Sequence, residues 1–479
     1  MNYTPHLMPL KHRALPGGAV VATAVTGDFA IFSPEEFALL TTAPAQLPLH
    51  RQADLRSRFI LGAETPSRGI RRLIASRVAA RHETLAGGPA LYIIVPTLQC
   101  AHSCRYCQVS RALNDQGHTM SPAALDASCD AVFESQAPAL TVEFQGGDPL
   151  LRFDLVQRAI LRIAERNRVE QRRIRYVIAC TLHQLDEEMC AFFKTHGVFL
   201  STSLDGPREL HNRNRPVPGR NAYERTLAGI ELARKHLGAD AVSALMTTTQ
   251  ASLAQPDAIV DEYVRLGFKE IFLRPLSSYG FAKRNQALLG YSVPDFIAFY
   301  QRALDRILHW NAQGVELREV YASILLNKIL SPFDAGYVDL QSPTGAGSSV
   351  LVYNYDGHVY PSDEARMLAE TGDLSLRMGP IGTPLSTLLA SPVRRKLAQA
   401  SEVETAAGCQ ACPYSRYCAP NPVDAQAQWS TMHVAPPRTE HCQRHLTLFD
   451  VMFERLQAAQ PEQLDMFHRW ARPVGAGDI

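Results

Sequence analysis

An α/β fold built on a parallel sheet is what the sequence predicts, and three observations carry that prediction. Six apolar, β-branched or aromatic runs recur between residues 90 and 274, helix-like stretches separate them, and Gly197, Gly238 and Gly267 close three of those stretches. Alternation of this kind calls for parallel strands joined by right-handed crossovers. Periodicity does not say whether such a sheet closes.

The elements follow in order. Residues 19–32 read as two strands around Thr26-Gly27-Asp28, and Ser33-Pro34 opens a helix with an N-cap and a proline at its first position. The run Ala90-Leu-Tyr-Ile-Ile-Val95 then reads as a buried parallel strand. Helices are expected over residues 121–137 and 154–168, the second with Leu155, Val156, Ala159, Ile160 and Ile163 on one stripe and Asp154 as N-cap. Residues 140–144 form the strand between them, and residues 175–179, 198–203, 242–248 and 270–274 supply four more. Farther on, Asp356-Gly357 sits between alternating runs and predicts a tight hairpin over residues 350–360.

Composition narrows the function classes. The 479 residues are 46% hydrophobic and 20% charged, which suits ordinary cores in a chain of about three domains. Basic and acidic residues, 48 against 47, leave a net charge of +1, so no footprint for nucleic acid or an anionic membrane surface is expected. No apolar run approaches a membrane span, and prolines interrupt the N-terminus where a signal peptide needs an apolar core. The chain is expected to stay in the cytoplasm. Seven of its ten cysteines fall into two metal-like clusters, a use that fits a reducing compartment, whereas Cys129, Cys180 and Cys190 lie in apolar patterns as buried thiols.

The first cluster, Cys100, Cys104 and Cys107, directly follows the first predicted strand. Three thiolates in one short loop hold three corners of a cubane and leave one iron open to a ligand that is not protein. A structural zinc site normally closes with four ligands in paired spacing. The second cluster, Cys409, Cys412, Cys418 and the distant Cys442, has four ligands, and its spacing does not separate zinc from a [4Fe-4S] cubane.

The loop from Thr97 through Cys100, Cys104, Tyr106 and Cys107 to Arg111 resembles the radical SAM signature. So do Phe144-Gln-Gly-Gly-Asp-Pro149 after the second strand, in place of the family's Gly-Gly-Glu-Pro, and Ser201-Thr-Ser-Leu-Asp-Gly206 with His211 and Arg215 after the fourth. The resemblance covers about residues 90–310 and implies an open partial (β/α)6 barrel. Its cluster would chelate S-adenosylmethionine (SAM) and cleave it reductively to a 5′-deoxyadenosyl radical that abstracts hydrogen. It further implies that Tyr106, Gly146, Gly147, Asp148, Ser203 and Arg215 surround SAM. Arg274, at the end of the sixth strand, either reaches into the barrel top or pairs in a loop.

The C-terminal cysteines resemble the SPASM extension of peptide maturases, which implies one auxiliary [4Fe-4S] cluster. Ser362 and Pro422 stand where that pattern has cysteines, and no cysteine lies in residues 341–347. The missing ligands belong to the cluster nearer SAM, so two clusters in total are expected. Asp363 aligns with a carboxylate that sulfatase-maturing relatives place as a general base. Segments 96–111, 144–151 and 360–366 resemble, over the whole chain, the radical SAM/SPASM maturases of the His-Xaa-Ser peptide system. This implies a precursor peptide substrate, a second radical SAM maturase as companion and an external electron donor. The hairpin and helices of the first 85 residues resemble winged-helix leader-binding modules, with a plain capping subdomain as the alternative. The expected organisation is an N-terminal domain over 1–85, a barrel over 86–315 and an auxiliary-cluster domain over 316–479. A sulfatase-maturase-like oxidation and a non-catalytic zinc-binding scaffold are the other readings.

Overall fold

The computed structural model describes residues 5–472 except 81, 83, 84, 86 and 333–335. Six parallel strands stand side by side in chain order: Leu91–Thr97, Ala139–Gly146, Arg173–Ala179, Val198–Ser203, Val242–Thr247 and Leu273–Arg274. The first is buried from Tyr92 onward, as a strand covered on both faces must be. The sixth run is broken: Glu270–Ile271 leaves the sheet to pair with Arg318–Glu319, and only Leu273–Arg274 stays.

Helices close the outer face. Phe153–Glu170 buries the predicted stripe of Leu155, Val156, Ala159, Ile160 and Ile163. Arg152 rather than Asp154 occupies its N-cap position, and the Asp154 carboxylate instead accepts two hydrogen bonds from the Arg152 guanidinium. The helix expected over 121–137 is α-helical only for Pro122–Ala131 and tightens into a 3-10 turn over Val132–Glu134. Val293–Ala312 starts in a capping box of Ser292 and Asp295 and buries Phe296, Tyr300 and Ile307.

The predicted hairpin forms as Val350–Tyr353 and His358–Tyr360, with Gly357 at a φ of 80° in the turn. Its first strand lies parallel to Leu91–Thr97, so the hairpin continues the barrel sheet past residue 315.

The N-terminal region is a three-stranded antiparallel sheet, Leu10–Ala14, Val20–Ala24 and Phe29–Phe32, backed by helices. It sits on the C-terminal part of the chain. Arg13 grips the buried Asp450 carboxylate through Nε and Nη2 at 3.0 Å each, and Phe29 meets Phe453 edge-on at 5.0 Å. The Thr23 hydroxyl donates to the Pro413 carbonyl and the Tyr417 hydroxyl to the Gly27 carbonyl, both at 2.7 Å. At the outer edge of Phe29–Phe32, the carbonyls of Phe29 and Ile31 accept from Arg58 and Arg51 at 2.9 Å. No helix among the described residues is long and apolar enough to cross a membrane.

Candidate active site and cysteine clusters

Cys100, Cys104 and Cys107 open onto a cavity of about 600 Å³ at the C-terminal ends of the barrel strands. Their loop is held by backbone bonds from distant segments: Ser103 N to Pro216 O at 2.9 Å, Arg105 N to Asn214 O at 3.1 Å and Phe281 N to Cys107 O at 2.7 Å. Burial pushes the Cys104 thiol up to about 11 against the pull of Arg215, and pushes Cys100 higher still with Asp148 adding to the shift. Burial thus favours neutral thiols, and a cationic iron–sulfur core would supply what thiolates there need.

Gly146 and Gly147 are forced by this loop. A side-chain carbon at Gly146 would run into the Thr97 carbonyl, and one at Gly147 into the carbonyls of Leu98 and Gln99. Backbone bonds lock the approach, Gly147 N to Thr97 O at 2.9 Å and Asp148 N to Gln99 O at 2.7 Å. Both glycines also line the cavity. Asp148 behaves differently. It is fully buried, one oxygen accepts from the Thr181 hydroxyl, and the other accepts from Leu150 N at 3.2 Å. Its carboxylate pins the turn instead of facing the cavity, where Thr181 stands.

Tyr106 and Arg215 meet, and Asp205 joins them. The Tyr106 hydroxyl donates to Asp205 at 2.7 Å, and Arg215 Nη1 donates to the same hydroxyl at 2.7 Å. Asp205 is fully buried and also accepts from Thr247 N at 3.3 Å. Burial works against the Arg215 charge, yet Cys104, Tyr106 and Asp205 hold its pKa well above the usual value. An Asp-Gly pair after a strand signals a turn; nothing local signals that its carboxylate anchors the cysteine loop.

Ser203 ends the fourth strand on the cavity wall, and Arg274 lines it from the sixth. Across the cavity, Ser362 caps the helix Asp363–Ala369, accepting from Ala365 N at 3.2 Å. Asp363 lines the cavity and accepts from Arg366 Nε at 2.7 Å. Next to it Glu364 is pushed up to about 7, by burial first and then by Asp339 and Asp363. Glu143, from the second strand, also rises to about 7, chiefly through burial. Asn421 Nδ2 donates to Asp339 Oδ1 at 3.0 Å, so Ser362, Asn421 and Asp339 face the same space. Of the positions that carry cysteine in the resembling pattern, Ser362 lines the cavity of the three-cysteine loop, and Asn421, next to Pro422, lines it too.

Cys409, Cys412, Cys418 and Cys442 converge, from segments up to 33 residues apart in sequence, on a second cavity of about 350 Å³. Burial raises all four thiols. His12 and Arg13 of the N-terminal sheet also line this cavity. Among the described residues, no three or more His, Cys, Asp or Glu side chains converge on a single-ion site.

Residues 94–272 match the family model described as the radical SAM superfamily. An uncharacterized protein of Methanothermobacter thermautotrophicus is 27% identical over 176 residues, 36% of this chain and 63% of that protein. The serine-type anaerobic sulfatase-maturating enzyme of Klebsiella aerogenes is 28% identical over 189 residues, 39% of this chain and 46% of that enzyme. The chain thus spans less than two thirds of the length of these relatives. Among solved structures, anSMEcpe with bound AdoMet superposes with a TM-score of 0.63 at 17% identity, over 79% of this chain and 99% of that one. Streptococcus suis SuiB bound to precursor peptide SuiA gives 0.54 at 12% identity, over 92% of this chain and all of that one. The three-cysteine loop on its six-stranded parallel sheet is therefore a radical SAM domain, set in a chain that shares the fold of anSMEcpe and SuiB.

Proposed function

We propose that this chain is a radical SAM enzyme that modifies a ribosomally synthesised precursor peptide of the His-Xaa-Ser type. The observation that carries the reading is one cavity lined by Cys100, Cys104 and Cys107 together with Asp363 and Glu364. A [4Fe-4S] cluster on those cysteines, with SAM at its open iron, supplies hydrogen abstraction when bound. The rest of the work falls to the chain. Tyr106, Asp205 and Arg215 fix the cysteine loop, and Gly146 and Gly147 let it lie against the sheet. Ser203 offers a hydroxyl to SAM from the strand end. Glu364, held near neutral, accepts a proton from the substrate more readily than an ordinary carboxylate does.

The C-terminal cysteines fit an auxiliary [4Fe-4S] cluster that carries the leftover electron onward. Their place downstream of the radical SAM region, in a spacing that resembles the SPASM extension, supports a polynuclear cluster over zinc. An external donor would reduce the first cluster.

The test is anaerobic reconstitution followed by coexpression with a neighbouring His/Ser-rich peptide. Two cubanes' worth of iron and sulfide, 5′-deoxyadenosine formation and a mass change in the peptide are expected. Changing Cys100, Cys104 and Cys107 together to Ala should remove about half the iron and all SAM cleavage. Retained 5′-deoxyadenosine in that variant overturns the reading. A second reading, oxidation of a protein side chain, is favoured by the likeness of part of the chain to the serine-type sulfatase-maturating enzyme. Loss of two hydrogens from a sulfatase-derived serine peptide, with no change in the His/Ser-rich peptide, would select it.

A further inference from the structure

The N-terminal sheet brings a lysine to the C-terminal cysteines. Lys11, on the strand Leu10–Ala14, donates from Nζ to Ser415 Oγ at 2.7 Å and to the backbone carbonyl of Cys409 at 3.4 Å. It is half-buried there, next to the Cys409 and Cys412 thiols. The approach is built. The bidentate grip of Arg13 on Asp450 and the bond from Thr23 to Pro413 hold the strand against the cysteine segment. Either hydrogen bond of Lys11 could be made by a neutral donor. What a lysine adds is a positive charge, fixed to the main chain of a cysteine that borders the cavity.

We propose that Lys11 is a positioning residue for the C-terminal cluster, its ammonium stabilising the reduced state and so raising the reduction potential. The inference rests on reading Cys409, Cys412, Cys418 and Cys442 as ligands of a [4Fe-4S] cluster. Such a cluster carries net negative charge on its four thiolates and gains one more when it accepts an electron. Net charge and local hydrogen bonding set its potential, and a nearby cation favours the more negative state. Two other cations near these cysteines are paired, Arg416 with Glu404 at 3.1 Å and Arg13 with Asp450 at 3.0 Å, so their charges are partly spent. The N-terminal sheet is thereby part of the electron-transfer site, independently of any role in binding peptide.

The experiment uses the full chain carrying Cys100, Cys104 and Cys107 all as alanine, so that only the C-terminal cluster remains. Iron content is measured first, then the midpoint potential by a dithionite titration followed by electron paramagnetic resonance. Lys11→Met and Lys11→Gln should lower the midpoint, and Lys11→Arg should restore it, with circular dichroism unchanged in all three. Loss of iron from Met and Gln but not Arg also supports a role for the charge. Loss from all three overturns it. A filled cluster whose potential ignores Lys11→Met overturns the role of Lys11 and leaves the cluster reading standing. Zinc without iron in the background protein overturns the proposal through the cluster reading itself.

Discussion

Arg215 Nη1 lies 2.7 Å from the Tyr106 hydroxyl, and that hydroxyl in turn donates to Asp205. The three residues convert a flexible cysteine loop into one with a fixed seat. Asp205→Asn leaves a buried guanidinium short of its counter-charge and should cost about 2–4 kcal/mol. Tyr106→Phe removes one hydroxyl from the chain of bonds and should cost about 1–2 kcal/mol. Denaturant titration of the reconstituted protein measures both, and both variants should lose iron faster to a chelator than the parent does.

Gly147→Ala tests the packing of the loop on the sheet. The added methyl meets the carbonyls of Leu98 and Gln99, which are backbone and cannot swing aside. Total iron should fall toward about half, the three-cysteine site losing its cluster while the C-terminal cluster is kept. Iron analysis with the four C-terminal cysteines intact reads this directly. Full iron with normal 5′-deoxyadenosine formation would refute the packing argument.

Glu143 gives a prediction in pH. Its folded value, about 7, lies above the unfolded value near 4.5, so the folded state prefers the neutral acid. Below pH about 4.5 both states are protonated and no cost arises. Between 4.5 and 7 the unfolded chain ionises first, so stability falls as pH rises, and above 7 the loss levels off. Glu143→Gln should therefore be more stable than the parent at pH 8 by about 1–3 kcal/mol and equal to it at pH 4. Thermal melts at the two pH values check the sign.

Deleting residues 1–85 should cost the C-terminal site its iron. The deletion uncovers the wall formed by His12 and Arg13 and strips the partners of Asp450, Pro413, Ser415 and Tyr417. It also leaves Asp450, whose side chain is 3% exposed, with the Tyr414 hydroxyl as its one side-chain partner among the described residues. Iron per chain should drop by about half while SAM cleavage persists. Unchanged iron would mean that the sheet merely rests on the cysteine segment. Binding of a leader by strand addition at Phe29–Phe32 would have to displace Arg51 and Arg58, so Arg51→Ala and Arg58→Ala should tighten it.

What the sequence shows of this molecule is what depends on short range. Five of the six barrel strands lie where the apolar runs put them, because buried parallel strands are continuous in hydrophobicity, and the sixth keeps only Leu273–Arg274 of its run. The hairpin at Asp356-Gly357 is likewise a local matter of turn chemistry. The strand Leu10–Ala14 escapes such reading, since Lys11, His12 and Arg13 look like a solvated stretch and make sense only against the cysteine segment. Asp205, Glu364 and Asp339 escape it for the same reason. Their meaning comes from partners on other strands and helices, and a carboxylate carries no local mark of burial. The Asp148 carboxylate shows the converse, where motif position suggests a cofactor contact and the observed geometry turns both oxygens to the protein.

The parallel pairing of Val350–Tyr353 with Leu91–Thr97 has a consequence during synthesis. The two strands are about 250 residues apart in the chain. At ribosomal speeds the first barrel strand therefore waits on the order of ten seconds or more before its outer neighbour emerges. Through that interval it presents an unpaired, strongly apolar edge, the kind that recruits other nascent chains. Expression at reduced temperature or with added chaperone should raise the soluble yield more for this chain than for barrels whose first strand is covered early.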